Sequence, residues 1–358
     1  MSEFRQDIVS KHWILFAPNR GSRPEDFKQA CTNPDPASLP LVEPKCVFCP
    51  GNEAFNLTVD TFPKNDEKNW KVRVIPNKFE ALGHSGGRER NDFYIVREGI
   101  GDHEVIITRP HNTLTAFLSD EVMEANLKAY QHRMIDLSSH PEVRYVHVLQ
   151  NHGREGGASM VHPHSQIFAT PFVPDHLHDE VIGSFNYFQN YGACVFCEMI
   201  FKELQDRERL VLDDKDFVVI APFASRVPYA MRIIAKTHRA SFTLITDSER
   251  KSLARVLRIA LQKLYNKLGN PSYNYYIHTL PVSHSLTTRY DDRSYHWHLE
   301  ILPRINVWGG FELGSDVYVN TVTPEQAADF LRQPDKLGAF ESDKLAHAAK
   351  GSKKEKPK

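Results

Sequence analysis

The sequence predicts an α+β protein made of two copies of one unit, with antiparallel sheets, packed helices and a pseudo-dimer formed within the chain. Three observations predict it. The tetrapeptide CVFC stands at 46–49 and again, identically, at 194–197. A His-x-His pair in an extended segment closes each copy, HPHSQI at 162–167 and HWHLEI at 296–301. Between these markers the same features recur in the same order, the signature of an internal repeat.

The elements follow along each copy. An apolar run ending near a proline comes after each CVFC, RVIPNKF (73–79) and VVIAPFA (218–224). A β-branched run closing on a histidine is next, VIITRPH (105–111) and RIIAKTH (232–238). An amphipathic helix then follows in both. In 246–268, Leu253, Val256, Leu257, Ala260, Leu264 and Leu268 form one apolar stripe, and Thr246 with Glu249 forms a capping box. The helix of the first copy, over 120–137, is less regular, with Val122, Tyr130, Met134 and Leu137 on its apolar face. A short helix starts at Thr323-Pro324, with Gln326 completing its box. EVIIT (104–108), VRYVHVLQ (143–150) and YNYYIH (273–278) read as strands. The expected division is a first unit over 1–180, a second over 181–337 and a largely disordered tail over 338–358, which ends Lys-rich and without a core.

At 358 residues and 41% hydrophobic, the chain can bury a sizeable core. Lys+Arg 44 against Asp+Glu 45 gives a formal charge of −1, which offers no electrostatic ground for binding nucleic acid or an acidic membrane. The N-terminus has no apolar run of signal-peptide length, and no segment approaches a membrane span, so the expected location is the cytoplasm.

In a reducing compartment, two CxxC pairs read as metal or redox sites before they read as disulfides. No thioredoxin-like strand–CxxC–helix pattern is apparent, and 18 histidines favour metal. Zinc takes Cys and His in tetrahedral sets. Each copy offers two thiolates, the histidine closing the β-branched run, and the first histidine of the His-x-His. The expected sets are Cys46, Cys49, His111 and His162, and then Cys194, Cys197, His238 and His296. With all four ligand positions filled by protein, both zincs should be structural. Cys31 has no assigned role, and His12, His84, His132, His152, His176 and His178 are expected spectators.

Residues i and i+2 of an extended segment share a face, so His162, His164 and Gln166 point the same way. A metal on His162, with Pro163 stiffening the chain, holds His164 ready as a nucleophile toward an acyl or phosphoryl centre. Its other ring nitrogen then carries the proton, normally donated to a backbone carbonyl. Gln166 can donate to a developing oxyanion without adding charge. The loop NHGREGGAS (151–159) offers backbone N–H groups to a phosphate. In the second copy, Glu300 stands where Gln166 stands, and a carboxylate there repels phosphate. That copy reads as structure kept and chemistry lost.

DIVSKHWILFAPNRGSRP, CVFCPGNE, VRVIPNKFEAL, NHGREGGASMVHPHSQ and HWHLEILPRINVWGGFELG together resemble the galactose-1-phosphate uridylyltransferase family of the histidine-triad superfamily, over roughly 5–330. The resemblance implies ping-pong transfer. His164 attacks the α-phosphorus of UDP-glucose, glucose 1-phosphate leaves, and galactose 1-phosphate takes the UMP. It further implies that Gln166 touches the phosphate and that Arg20 and Arg23 lie near the phosphates. Asn77 falls on the uridine side, Asn151 and Ser159 beside the α- and β-phosphates, and Glu312 on the sugar hydroxyls. A homodimer with active sites built across subunits is also implied. The sequence departs from the family at Asp316, where a glycine is usual. It departs again at the second CxxC, which argues for a second zinc where family members often hold iron on Glu and His. His278 and His298 are the candidates if an iron-type set is used. The paired cysteines also resemble ADP-glucose phosphorylase, a relative that passes AMP to phosphate; this is the alternative reading. A histidine-triad hydrolase and a zinc-stabilised binding module without chemistry are more distant rivals. The first has no use for Glu312, and the second none for HPHSQ in one copy only.

Overall fold

The computed structural model describes residues 2–20, 33–84, 90–91, 93–284 and 290–334. Arg23, Cys31 and the 338–358 tail lie outside the described residues.

Among the described residues, the strands are β1 (Glu3–Gln6), β2 (Trp13–Phe16), β3 (Asp60–Phe62), β4 (Val72–Pro76), β5 (Arg90–Asn91), β6 (Ile95–Val96), β7 (Asp102–Thr108), β8 (Tyr145–His152), β9 (His164–Thr170), β10 (Leu210–Asp213), β11 (Phe217–Ile220), β12 (Met231–Ala235), β13 (Tyr273–His278), β14 (His298–Pro303) and β15 (Tyr318–Asn320). The helices are α1 (Asp120–Ser138), α2 (Asp175–Tyr191), α3 (Val195–Asp206), α4 (Asp247–Leu268), α5 (Gly310–Ser315) and α6 (Pro324–Arg332).

One ten-stranded antiparallel sheet runs β3-β4-β7-β9-β8-β13-β14-β12-β11-β10. Read from its centre outward, the order on one side repeats the order on the other. β8 matches β13, β9 matches β14, β7 matches β12, β4 matches β11 and β3 matches β10. The duplication seen in the sequence is therefore a pseudo-twofold about the β8·β13 seam, where Tyr273 pairs with His152 and Ile277 with Val148. Pairing through the seam leaves neither copy with a free central edge, which an isolated sheet would expose.

The core lies between one face of this sheet and helices α1 and α4. Val74, Ile106, Val148 and Ile167 from the first copy meet Val219, Ile233, Ile277 and Leu299 from the second in a single apolar cluster. The expected stripe of α4 is wholly buried, its capping box is present, and Gly269 closes the helix in a left-handed conformation. On α1 the buried face carries Met123, Leu127, Tyr130, Met134 and Leu137, whereas Val122 is only half-buried. Met123 takes the place expected of Val122, because the apolar stripe starts one residue later.

β1, β2 and β15 form a separate three-stranded sheet in which β15 joins β2 in parallel. Ile14 and Phe16 on β2 bury against Ala224 and Tyr318. The first residues of the chain are thus packed on the second unit, and the 180/181 division passes through α2. No helix among the described residues is long and apolar enough to cross a membrane.

Candidate active site and metal centres

The first CxxC lies in a turn, where Cys49 N–H donates to the Cys46 carbonyl (3.0 Å). That turn brings both thiols under the end of β7 and the start of β9. Cys49 Sγ lies 3.4 Å from His111 Nδ1 and 3.6 Å from His162 Nδ1. Cys46 Sγ is 3.6 Å from His162 Nδ1, and the two imidazole nitrogens are 3.2 Å apart. A tetrahedral ion with metal–sulfur bonds of about 2.3 Å and metal–nitrogen bonds of about 2.0–2.1 Å requires roughly 3.3–3.4 Å between nitrogens, about 3.6 Å between sulfur and nitrogen and about 3.8 Å between sulfurs. The donor atoms therefore already stand at the corners of a coordination sphere. The supporting contacts agree: His162 Nε2–H donates to the Thr108 carbonyl (2.7 Å) and the Glu43 N–H to Cys49 Sγ (3.3 Å). All four residues are buried. Burial pushes the Cys49 thiol up to about 11, and the neighbouring Cys46 adds to this against the Glu43 N–H. A bound cation reverses that balance and makes the thiolate the stable form.

The second set is built on a different local structure. Cys194 is the N-cap of α3 and Cys197 sits in its first turn, preceded by helix α2 rather than by a strand. Cys197 Sγ is 3.3 Å from His238 Nδ1 and 3.6 Å from His296 Nδ1, and His238 Nε2–H donates to the Asp292 carbonyl (2.9 Å). Cys194 and His296 are buried, Cys197 is half-buried and His238 is exposed. Both expected quartets can hold a metal ion.

A third group adds Glu180 to the two histidines named as candidates for an iron-type set. Glu180 on α2, His278 on β13 and His298 on β14 converge, with His278 Nδ1 3.1 Å and His298 Nε2 3.6 Å from the Glu180 carboxylate. Tyr295 O–H also donates to Glu180 (2.5 Å). Glu180 closes the first unit in sequence and reaches this group only because α2 folds back over the second. No local spacing announces it.

His164 opens β9. Its Nδ1–H donates to the His162 carbonyl at 2.9 Å, and because a carbonyl can only accept, the proton is fixed on Nδ1. The lone pair on Nε2 is left free for attack. Burial lowers the His164 pKa against that hydrogen bond, which keeps the ring neutral. Phe48, from the first CxxC turn, packs on its ring at a centroid distance of 5.3 Å.

Two strand positions on, Gln166 Oε1 lies 2.9 Å from His103 Nε2. His103 Nδ1 accepts from the Ala81 N–H (3.2 Å), which leaves the ring proton on Nε2 and facing Gln166. Asn77 Nδ2 is 3.0 Å from the same His103 nitrogen, and Asn77 Oδ1 accepts from Phe79 N–H. With its Nε2–H given to Gln166, His103 cannot accept from the Asn77 amide, so it stands between the two side chains and, of the two, bonds Gln166. The sequence reading did not single it out, although it stands in the same extended run as Val105. Asn151 is the penultimate residue of β8 and accepts from Asn274. Ser159 is exposed at the end of the glycine-rich loop.

Arg20 and Glu312 are placed elsewhere. Arg20 ends a 3-10 turn after β2, and Glu312 lies in α5, where it accepts from the Gly309 N–H (2.9 Å). Both flank the three-stranded sheet on the second unit. Among the described residues, no hydrogen bond or ion pair joins either of them to His164, Gln166 or Asn151.

The second copy repeats the imidazole geometry without the site. His298 Nδ1–H donates to the His296 carbonyl (3.1 Å), just as His164 does to His162. On β12, Arg232 faces Glu300 where, in the first copy, Val105 faces Gln166. Arg232 Nε and Nη2 bind the Glu300 carboxylate at 2.9 and 2.5 Å, and Tyr276 O–H donates to its other oxygen (2.9 Å). An ion pair in which two guanidinium N–H groups meet one carboxylate oxygen stands where the first copy has Val105 and Gln166.

The family described as "Galactose-1-phosphate uridyl transferase, N-terminal domain" matches residues 1–174, and a domain of unknown function, DUF4921, matches residues 99–339. An ADP-glucose phosphorylase of Arabidopsis thaliana is 34% identical over 341 residues, 92% of each chain. A galactose-1-phosphate uridylyltransferase of Thermotoga maritima is 29% identical over 93% of this chain and 98% of that one. The crystal structure of an Arabidopsis ADP-glucose phosphorylase with bound ADP-glucose superposes with a TM-score of 0.78 at 30% identity, covering 93% of this chain and 99% of that one.

Proposed function

The chain belongs to the galactose-1-phosphate uridyl transferase family of nucleotidyltransferases, and on that premise we propose that it transfers a nucleoside monophosphate from a nucleoside diphosphate glucose through a covalent adduct on His164. The observation that carries the reading is the fixed tautomer of a buried, neutral His164. Its Nε2 lone pair attacks the α-phosphorus. The bond from that phosphorus to the bridging oxygen breaks, and the electron pair leaves on glucose 1-phosphate. The His162 carbonyl keeps the Nδ1 proton and steadies the positive charge that develops on the ring. The acceptor oxygen then attacks the same phosphorus and returns the pair to Nε2.

Gln166 lends N–H donors to the phosphoryl oxygens without bringing charge. Asn151 and Ser159 serve the α- and β-phosphates, and Asn77 the base side. Arg20, Arg23 and Glu312 act on phosphates and sugar hydroxyls. Because Arg20 and Glu312 flank the second unit, they fit best as contributions from a second copy in a homodimer. The two Cys₂His₂ quartets hold structural zinc, since their donor spacing suits that ion and leaves no open position. Glu180, His278 and His298 are the iron-type alternative in the second unit.

Two donor–acceptor pairs fit. ADP-glucose with phosphate is supported by the 34% identity to the phosphorylase, whose paired cysteines this sequence also resembles. UDP-glucose with galactose 1-phosphate is supported by the Thermotoga uridylyltransferase and by the GGFELG segment. Intact mass spectrometry after mixing the protein with each donor separates them. A UMP increment discharged by galactose 1-phosphate selects the uridylyl reaction, and an AMP increment discharged by phosphate selects the adenylyl reaction. No increment with either donor refutes the covalent route.

A further inference from the structure

The glycine-rich loop of the first copy is cast against the second. Three alternate residues, at the start of β13 and just before it, each hold one part of the loop. Asn270 Oδ1 lies 2.8 Å from His152 Nε2, and Ser272 O–H donates to Glu155 (2.5 Å). Asn274, paired in register with Asn151, donates from Nδ2 to both the Gly156 carbonyl (2.7 Å) and Asn151 Oδ1 (2.8 Å). The fit is close enough that a Cβ on Gly156 would stand 2.3 Å from the His152 carbonyl oxygen and 2.8 Å from that of Tyr273.

This arrangement fixes which way the Asn151 amide faces. A backbone carbonyl can only accept, so the Asn274 atom on Gly156 is its amide nitrogen. The same nitrogen meets Asn151, so the Asn151 atom it meets is the carbonyl oxygen. The Asn151 NH₂ is turned to the other side. It borders the open face of Gly157, where it is the one group within 4 Å of an added Cβ, at 3.9 Å. Among the described residues, those two N–H groups have no hydrogen-bond acceptor in the protein.

We infer that Asn274, from the copy that lost its chemistry, is a positioning residue for the phosphate site of the other copy: it locks the Asn151 amide with its donors toward the donor's diphosphate and holds the loop at Gly156. The inference rests on the reading of the 151–159 loop as the phosphate site. Without Asn274 the Asn151 side chain is free to turn over and present its carbonyl oxygen to an anion. Asn274→Asp keeps the shape and removes both donors, so it should be at least as damaging as Asn274→Ala.

The test is a double-mutant cycle on the metal-loaded full chain, with wild type, Asn151→Ala, Asn274→Ala and the double variant. Inorganic pyrophosphate binding is read by calorimetry, and the rate and half-saturation of adduct formation are read with ADP-glucose and UDP-glucose. The expected result is a rise of about tenfold in pyrophosphate Kd and in donor half-saturation for each single variant. The double variant should lie within about threefold of Asn151→Ala, with metal content unchanged. Asn274→Ala behaving as wild type, or single effects that multiply in the double variant, overturns the inference, as does a wild type that does not bind pyrophosphate. A wild type that shows the coupling with pyrophosphate but takes no nucleotidyl group from either donor retires the transfer reading and leaves the role of Asn274 standing.

Discussion

His164 makes the sharpest prediction because one hydrogen bond determines its reactivity. His164→Ala should abolish the adduct and lower turnover by at least roughly 10⁴-fold. Metal content and the cooperativity of unfolding should stay as in the wild type; a variant that retains the adduct moves the nucleophile elsewhere. The sign of the pH dependence follows from burial. Attack needs the neutral ring, and the His164 pKa is held below the ordinary imidazole value near 6.5. The rate of adduct formation should therefore be flat through pH 7 and fall only at more acidic pH. An acidic limb centred at or above pH 7 would contradict the desolvated site. For Gln166→Ala the expected loss in adduct rate is roughly 10²–10³-fold, the usual range for removing one donor to a developing oxyanion. Retention of the wild-type rate would mean that the Gln166 amide faces His103 alone. At this scale the sequence was most informative where residues are neighbours in the chain. His162, His164 and Gln166 share a face because a strand alternates, and that much can be read from HPHSQ. His103 and Asn274 reach the site through strand register, which depends on pairings far apart in sequence, so no local pattern marks them.

The elements themselves were largely legible, because a duplicated chain states its pattern twice. α4 carries six apolar residues on one stripe between a capping box and a C-terminal glycine, and all of these signals agree. α2 and α3 carry weaker signals: neither start has a side-chain cap, since α2 follows Pro174 and α3 begins on Cys194, a residue type that also reads as a metal ligand. The pairing of β15 with β2 could not be seen either, since it joins residues at opposite ends of the chain. One contrast between equivalent elements can be tested. β7 and β12 occupy matching places, but β12 brings Arg232 to Glu300 in a largely buried pair, with side chains 8% and 15% exposed. Removing one partner from such a pair leaves a charge without compensation, at a cost of about 3–5 kcal/mol. Glu300→Gln should therefore destabilise the metal-loaded chain by roughly that amount in urea unfolding. Replacing both partners with the first copy's residues, Arg232→Val with Glu300→Gln, should cost less than Glu300→Gln alone. A single variant with wild-type stability would show that the pair contributes nothing beyond filling space.

Across the whole molecule, duplication has left two metal quartets with the same ligand order and unequal protection. All four ligands of the first are buried, whereas His238 of the second is exposed and Cys197 is half-buried. A chelator or thiol reagent can approach the second set from solvent, but it reaches the first only when the turn carrying Cys46 and Cys49 opens. Metal release should therefore proceed in two phases of about one equivalent each, the fast one from Cys194, Cys197, His238 and His296. Their consequences should differ as well. His162 belongs to the first quartet, and its carbonyl holds the His164 proton. Loss of that ion frees the segment that presents the nucleophile, so the slow phase should coincide with loosening of the fold and loss of adduct formation. The fast phase should leave adduct formation largely intact. Cys197→Ser should remove the fast phase only, and Cys49→Ser the slow one. Release of both ions at one rate, or loss of the adduct during the fast phase, would mean that the two quartets protect the catalytic histidine equally, and the asymmetry of their burial would then have no functional meaning.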